Sequence, residues 1–207
     1  KNGTRMFAGF PWFGSCSRDT FLSLPGICLA NGDEKTFKEM LEYLIKRMQG
    51  AFFPDKYYQQ NLYYTAVDSP LWFFMNLQKY ESMLKKSRRQ IWREYGDVMT
   101  RILDSYIEGT DFNVRACENG LLYAGNENLA LTWMNVFCDG KPWTPRYGFA
   151  IEVNALWYNA LRYGVELLKC ADTKNPHLKV WQEMADKIET SFVETFYDED
   201  NDSFFDF

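Results

Sequence analysis

Val67-Asp68-Ser69-Pro70-Leu71-Trp72-Phe73-Phe74-Met75-Asn76-Leu77 is the stretch on which the fold turns. Residues 71–77 carry no charge. A run so short and apolar is either a buried strand or part of a buried helix, and periodicity alone does not separate the two. Two features favour the helix. Ser69-Pro70 is a helix-start signature: a capping side chain, then a proline whose missing N–H would be unpaired in the first turn anyway. Leu, Met and Phe outnumber Val and Ile, the reverse of strand composition. A helix apolar on every side must be covered on every side. Phe21–Leu29 is also nearly all apolar, and Ala155–Leu168 is charged only at Arg162 and Glu166.

Amphipathic segments alternate with these runs. Phe37, Met40, Leu41, Leu44, Ile45 and Met48 fall on one helix face, with Glu34, Lys38, Glu39, Glu42 and Lys46 on the other. Ile91, Tyr95, Val98, Ile102 and Tyr106 repeat the pattern, and Trp181, Met184, Ile188 and Phe192 do so more loosely. The expected elements are buried helices over 20–30, 70–80 and 152–169, and amphipathic helices over 34–48, 88–108 and 177–196. The chain is therefore read as all-α.

Three successive helical hairpins suit a double ring, with apolar helices inside and amphipathic ones outside; a solenoid of helix pairs is the competing arrangement. Long loops, 3–18, 49–68 and 109–151, all precede the buried helices, which gathers them at one end and favours the ring. Six helices make about half of an (α/α)6 toroid. Residues 1–207 are accordingly expected to be one partial toroid domain of a longer protein, since the chain opens on Lys1 and stops at Asp206-Phe207 in mid-pattern.

Composition narrows the partners. A net charge of −5, with no basic cluster beyond Lys85-Lys86 and Arg88-Arg89, disfavours nucleic acid, which needs a positive footprint. That basic run is expected to be the solvated start of a helix. No run of 18 apolar residues is present, so no membrane partner is expected. Cys16, Cys28, Cys117, Cys138 and Cys170 form no metal-ligand spacing, and their odd count suits reduced thiols in a cytoplasmic setting. Neither metal nor cofactor is expected. His177, the only histidine, follows Asn175-Pro176 at a predicted helix start, where a surface role outweighs a nucleophilic triad. Aromatic residues reach 18%, which suits either a core rich in Phe and Tyr or stacking platforms in a sugar cleft.

An acid stands at the start of each buried helix: Asp19, Asp68 and Glu152. In a ring all three face one funnel. Glycoside hydrolysis uses two carboxyl groups flanking the scissile bond. Trp12, Trp72, Trp133 and Trp157 accompany these acids. Acids at helix starts also cap free N–H groups, and Asp68 before Ser69-Pro70 is the best candidate for that duty.

Four blocks carry a resemblance. Ala8-Gly9-Phe10-Pro11-Trp12-Phe13-Gly14 with Arg18-Asp19-Thr20 is the first, and Val67-Asp68-Ser69-Pro70-Leu71-Trp72 the second. Thr132-Trp133-Met134 follows, then Thr144-Pro145-Arg146-Tyr147-Gly148 running on to Glu152-Val153-Asn154-Ala155-Leu156-Trp157-Tyr158-Asn159-Ala160-Leu161. In this order they resemble the glucosidase domain of the glycogen debranching enzyme family. The resemblance implies an (α/α)6 barrel and cofactor-free, inverting hydrolysis of α-1,6-glucosyl stubs on glycogen. It implies Asp19 as proton donor, and Arg18, Asp68, Trp133, Arg146, Glu152 and Asn154 as lining the sugar site. Trp12, Trp72, Asn135 and Trp157 complete the expected substrate set. The chain departs from the family at Cys16-Ser17, where Trp-Gly is usual, and at Asn135, where Asp is usual. The family's general base lies in a later segment. A weakened glucan-binding domain is the competing expectation, as is another toroid glucosidase or a phosphorylase, although no cluster for phosphate is evident.

Overall fold

A computed structural model describes residues 4–9, 11, 14–58 and 61–207, and for Lys56–Tyr58 and Asn61 only the backbone. Six α-helices dominate: α1 (Ser17–Ile27), α2 (Glu34–Ile45), α3 (Ser69–Leu84), α4 (Arg88–Glu108), α5 (Ile151–Ala171) and α6 (His177–Phe196). Among the described residues, four two-stranded antiparallel hairpins decorate the loops. They are β1 (Lys56–Tyr58) with β2 (Asn61–Tyr63), β3 (Arg115–Ala116) with β4 (Leu122–Tyr123), β5 (Phe137–Cys138) with β6 (Lys141–Pro142), and β7 (Tyr197–Asp198) with β8 (Ser203–Phe204). All three apolar runs are helical, so the strand alternative falls.

Side-chain pairs give the helix directions. Ser17 Oγ meets Ser69 Oγ at 3.0 Å, and Asn76 Nδ2 donates to the Phe21 carbonyl at 2.8 Å. Both partners rise together in number, so α1 and α3 run the same way. Gln78 bonds Asn159 and the Tyr163 hydroxyl donates to Glu81, so α5 also runs parallel to α3. Against α5, α6 runs antiparallel, through Tyr158–Glu189, Arg162–Asp186 and Lys169–Gln182. Likewise α4 opposes α5: Arg88 at the start of α4 meets Glu166 late in α5, and Tyr106 near the end of α4 packs on Trp157 early in α5, ring centroids 6.0 Å apart. The result is a layer of parallel helices, α1, α3 and α5, backed by helices running the other way.

One core fills the space between these layers, from Phe21 and Leu24 through Phe73, Phe74 and Leu77 to Trp157, Trp181 and Phe196. Coverage of the apolar helices is incomplete. Leu22, Ile27 and Met83 are 50%, 54% and 42% exposed. The expectation of helices buried on every side is thus corrected for α1 and for the last turn of α3.

Four further corrections have local causes. Asp68 is the N-cap residue of α3, yet its carboxylate makes no capping bond, and the Ser69 hydroxyl is turned to Ser17. The basic run after α3 is a seam rather than a solvated end. Lys86 reaches Glu34 at 2.6 Å, and Arg88 joins Glu81 and Glu166. His177 is half-buried, stacked on Trp181 with its Nδ1 3.2 Å from Asp104. The predicted span 20–30 shifts to Ser17–Ile27, and like that span α1 runs through Pro25. Proline has no N–H to give the carbonyl four residues back. That carbonyl belongs to Phe21, and the Asn76 amide from α3 serves it instead.

Candidate functional site

Parallel α1, α3 and α5 bring their N-termini to one end, and with them the three acids. Asp19 is the third residue of α1 and is exposed; Asp68 precedes α3; Glu152 is the second residue of α5.

Arg18 Nε and Nη2 donate to the two oxygens of Asp68, each at 2.6 Å. Both residues are buried, at 8% and 3% exposure. Burial works against the Arg18 charge, but the Asp68 carboxylate outweighs it and holds the guanidinium above its usual range. Arg18 is therefore spent on Asp68, and Asp19, next in sequence, is left outside that pair. Beside Asp19, burial pushes the Cys16 thiol up to about 11; the Asp19 N–H opposes the rise and the Asp19 charge adds to it.

A second guanidinium sits at the start of α5. Arg146 Nη1 and Nη2 grip Glu152 at 2.6 and 2.8 Å, while Nε and Nη2 grip Asp206 at 2.8 and 2.6 Å. Thr132 Oγ1 accepts from Nη1 at 3.2 Å. All five donors of the guanidinium are engaged. The Arg146 side chain is 1% exposed, whereas those of Glu152 and Asp206 remain 31% and 57% exposed. Its hydrogen bonds to the Glu152 and Asp206 carboxylates hold the guanidinium charged against its burial. The carboxylates, with unused lone pairs, are the faces this cluster offers.

A profile of the amylo-alpha-1,6-glucosidase family matches residues 1–207. The chain belongs to that family. The glycogen debranching enzyme of Saccharomyces cerevisiae (strain ATCC 204508 / S288c) is 26% identical over 226 residues, covering 81% of this chain and 15% of that protein. The chain thus spans about 15% of the length of this curated relative. A GH78 family rhamnosidase of Bacillus sp. GL1 shares the fold at TM-score 0.52 and 13% identity, over 91% of this chain and 16% of that one.

Within this amylo-alpha-1,6-glucosidase family chain, the expected site residues divide. Asp19 and Trp133 are exposed, and Glu152, Trp72 and Asn135 are half-buried; these can meet a ligand. Trp157 and Asn154 cannot. Both are 0% exposed; Trp157 Nε1 donates to the Gly120 carbonyl, and Asn154 bonds the backbone of Leu122 and Ala150. They hold the loop before α5 rather than a sugar. Arg18, Asp68 and Arg146 are paired within the protein, Arg18 to Asp68 through Nε and Nη2, and Arg146 to Glu152 and Asp206. Trp12 lies outside the described residues. Asp206 was not anticipated: its only sequence signal is a lone acid between Phe205 and Phe207 in an apolar tail.

Proposed function

We propose that this chain supplies the proton-donor side of a glycoside hydrolase acting on α-1,6-glucosyl branch stubs of a glycogen-like glucan. One observation carries the proposal: Asp19 stands exposed at the common end of three parallel helices, while the cation beside it is consumed by Asp68. A proton donor has to reach the leaving oxygen, and Asp19 is the acid of the Arg18-Asp19-Thr20 block that is not tied down by an arginine. Glu152 and Asp206 would receive sugar hydroxyls, and Trp72 and Trp133 would flank the ring. Inversion requires a second carboxyl that activates water from the opposite face, about 6.5–9.5 Å from the acid. In this proposal that base comes from a segment outside the 207 residues. The same segment continues the helix layers into an (α/α)6 ring and covers Leu22 and Ile27. A neutral glucan suits the net charge of −5, and the five free cysteines suit a cytoplasmic location.

The test is glucose release from a branched limit dextrin by the full-length protein. Asp19→Asn should lower turnover by about 10²–10⁴-fold, the contribution of general acid catalysis, while leaving dextrin binding in place. The first glucose released should be the β-anomer, read by NMR. Equal rates for wild type and Asp19→Asn would remove the assignment. Dextrin binding without glucose release by the wild type would support a weakened binding domain, with the departures at Cys16, Ser17 and Asn135 as the place to look.

A further inference from the structure

The loop between Thr132 and Arg146 leaves the candidate site and returns to it, since its two ends are joined by the Thr132 Oγ1–Arg146 Nη1 bond at 3.2 Å. Between these feet the chain folds into the β5–β6 hairpin. Asp139 and Gly140 both take positive φ, 51° and 77°, the requirement of a tight two-residue turn that matches strand twist. Phe137 pairs with Pro142 and Cys138 with Lys141, and the Trp143 N–H donates to the Val136 carbonyl at 2.9 Å. Val136 and Trp143 are therefore cross-strand neighbours with side chains on one face. They are 66% and 72% exposed, Trp143 being the most open large hydrophobic side chain among the described residues. Phe137, on the opposite face, is 49% exposed.

A single exposed apolar side chain is ordinary, but several within one hairpin mark a binding surface. Its position says of what. Trp143 is three residues from Arg146, so its Cα lies within about 10 Å of that residue's Cα, from the reach of an extended chain. A ligand that passes out of the site beside Glu152 and Asp206 meets this hairpin next. The turn carries Asp139, and Lys141, paired with Cys138 and two residues before Trp143, shares the exposed face with Val136 and Trp143. An indole face with an aliphatic neighbour matches the C–H face of a neutral pyranose ring.

We infer that the β5–β6 hairpin is an accessory platform on which Trp143 and Val136 hold a sugar unit of the linear α-1,4-glucan chain that bears the branch. This rests on the glucan substrate proposed above, and it adds a site outside the residues around the scissile bond. Titration of the full-length protein with maltoheptaose, an unbranched chain, measures the platform without turnover. Trp143→Ala should weaken that binding about tenfold, as truncation of an aromatic anchor does, and Trp143→Phe should keep most of it. On limit dextrin, Trp143→Ala should raise KM by a similar factor with kcat unchanged, and on isomaltose neither constant should move. Equal maltoheptaose affinity in wild type and Trp143→Ala overturns the platform. So does no maltoheptaose binding by the wild type, or an equal loss on dextrin and isomaltose. If the wild type cleaves neither substrate, the proposed hydrolase function falls, and the maltoheptaose titration still decides the platform.

Discussion

At the scale of single residues, two guanidiniums do the organising and leave the carboxylates to do the meeting. Arg18 and Asp68 form a buried bidentate pair, and a buried pair is costly to break from one side because the survivor keeps an uncompensated charge. Arg18→Leu should therefore destabilise the fold by about 3–5 kcal/mol in urea unfolding. Arg18→Leu with Asp68→Leu should recover much of that loss, since both charges leave together. A double variant no better than the single would mean that the pair is worth more than its desolvation. The motif blocks identified these residues, but their duties were not legible. Spacing places Arg18 beside Asp19 in sequence, whereas only the packing of α1 against α3 reveals that it serves Asp68.

At the scale of elements, α1 survives an internal proline because α3 lends it a donor. Asn76→Ala leaves the buried Phe21 carbonyl unserved, and an unsatisfied buried group costs about 1–3 kcal/mol. In a Pro25→Ala background the backbone N–H of residue 25 can serve that carbonyl, so the same Asn76 substitution should cost measurably less. A double-mutant cycle by chemical denaturation reads the coupling; strictly additive losses would show that the two residues act independently. Amphipathic α4 and α6 were legible to the residue, 88–108 and 177–196, because one polar face fixes both period and ends. The apolar helices were placed but misjudged at their ends. A sequence apolar on all sides shows no phase. The expected span 20–30 already crossed Pro25, but what lets α1 tolerate that proline shows only once Asn76 is seen opposite.

For the whole molecule, the layers are held at the rear by charge as well as by the core. Glu34 of α2 takes Lys86 at 2.6 Å, the Tyr80 hydroxyl at 2.6 Å and Lys38 at 3.3 Å. The Lys86 hydrogen bond above all, and then that of Tyr80, pull the Glu34 carboxyl from 4.5 down to about 2. A carboxyl whose folded pKa is depressed stabilises the fold above its unfolded value, and that stability is lost as pH falls toward the folded value. Thermal unfolding followed from pH 6 to pH 2.5 should show wild-type Tm dropping below about pH 4.5, with a shallower drop in Glu34→Gln. Parallel acid slopes in the two proteins would remove Glu34 from this role. Hairpin order and loop length pointed to a double ring, of which the six helices show the shared direction of α1, α3 and α5, while the tail that brings Asp206 onto Arg146 had no periodic signal and emerges only in three dimensions. The join between Thr132 and Arg146 has one more consequence. Because the loop is closed at its base by a side-chain bond, what lies beyond the bond can change length at little thermodynamic cost, each doubling adding only about 0.6 kcal/mol. The hairpin is thus a cassette: evolution can lengthen, shorten or exchange it, and retune which polymer the protein grips, while the acids beneath it stay where they are.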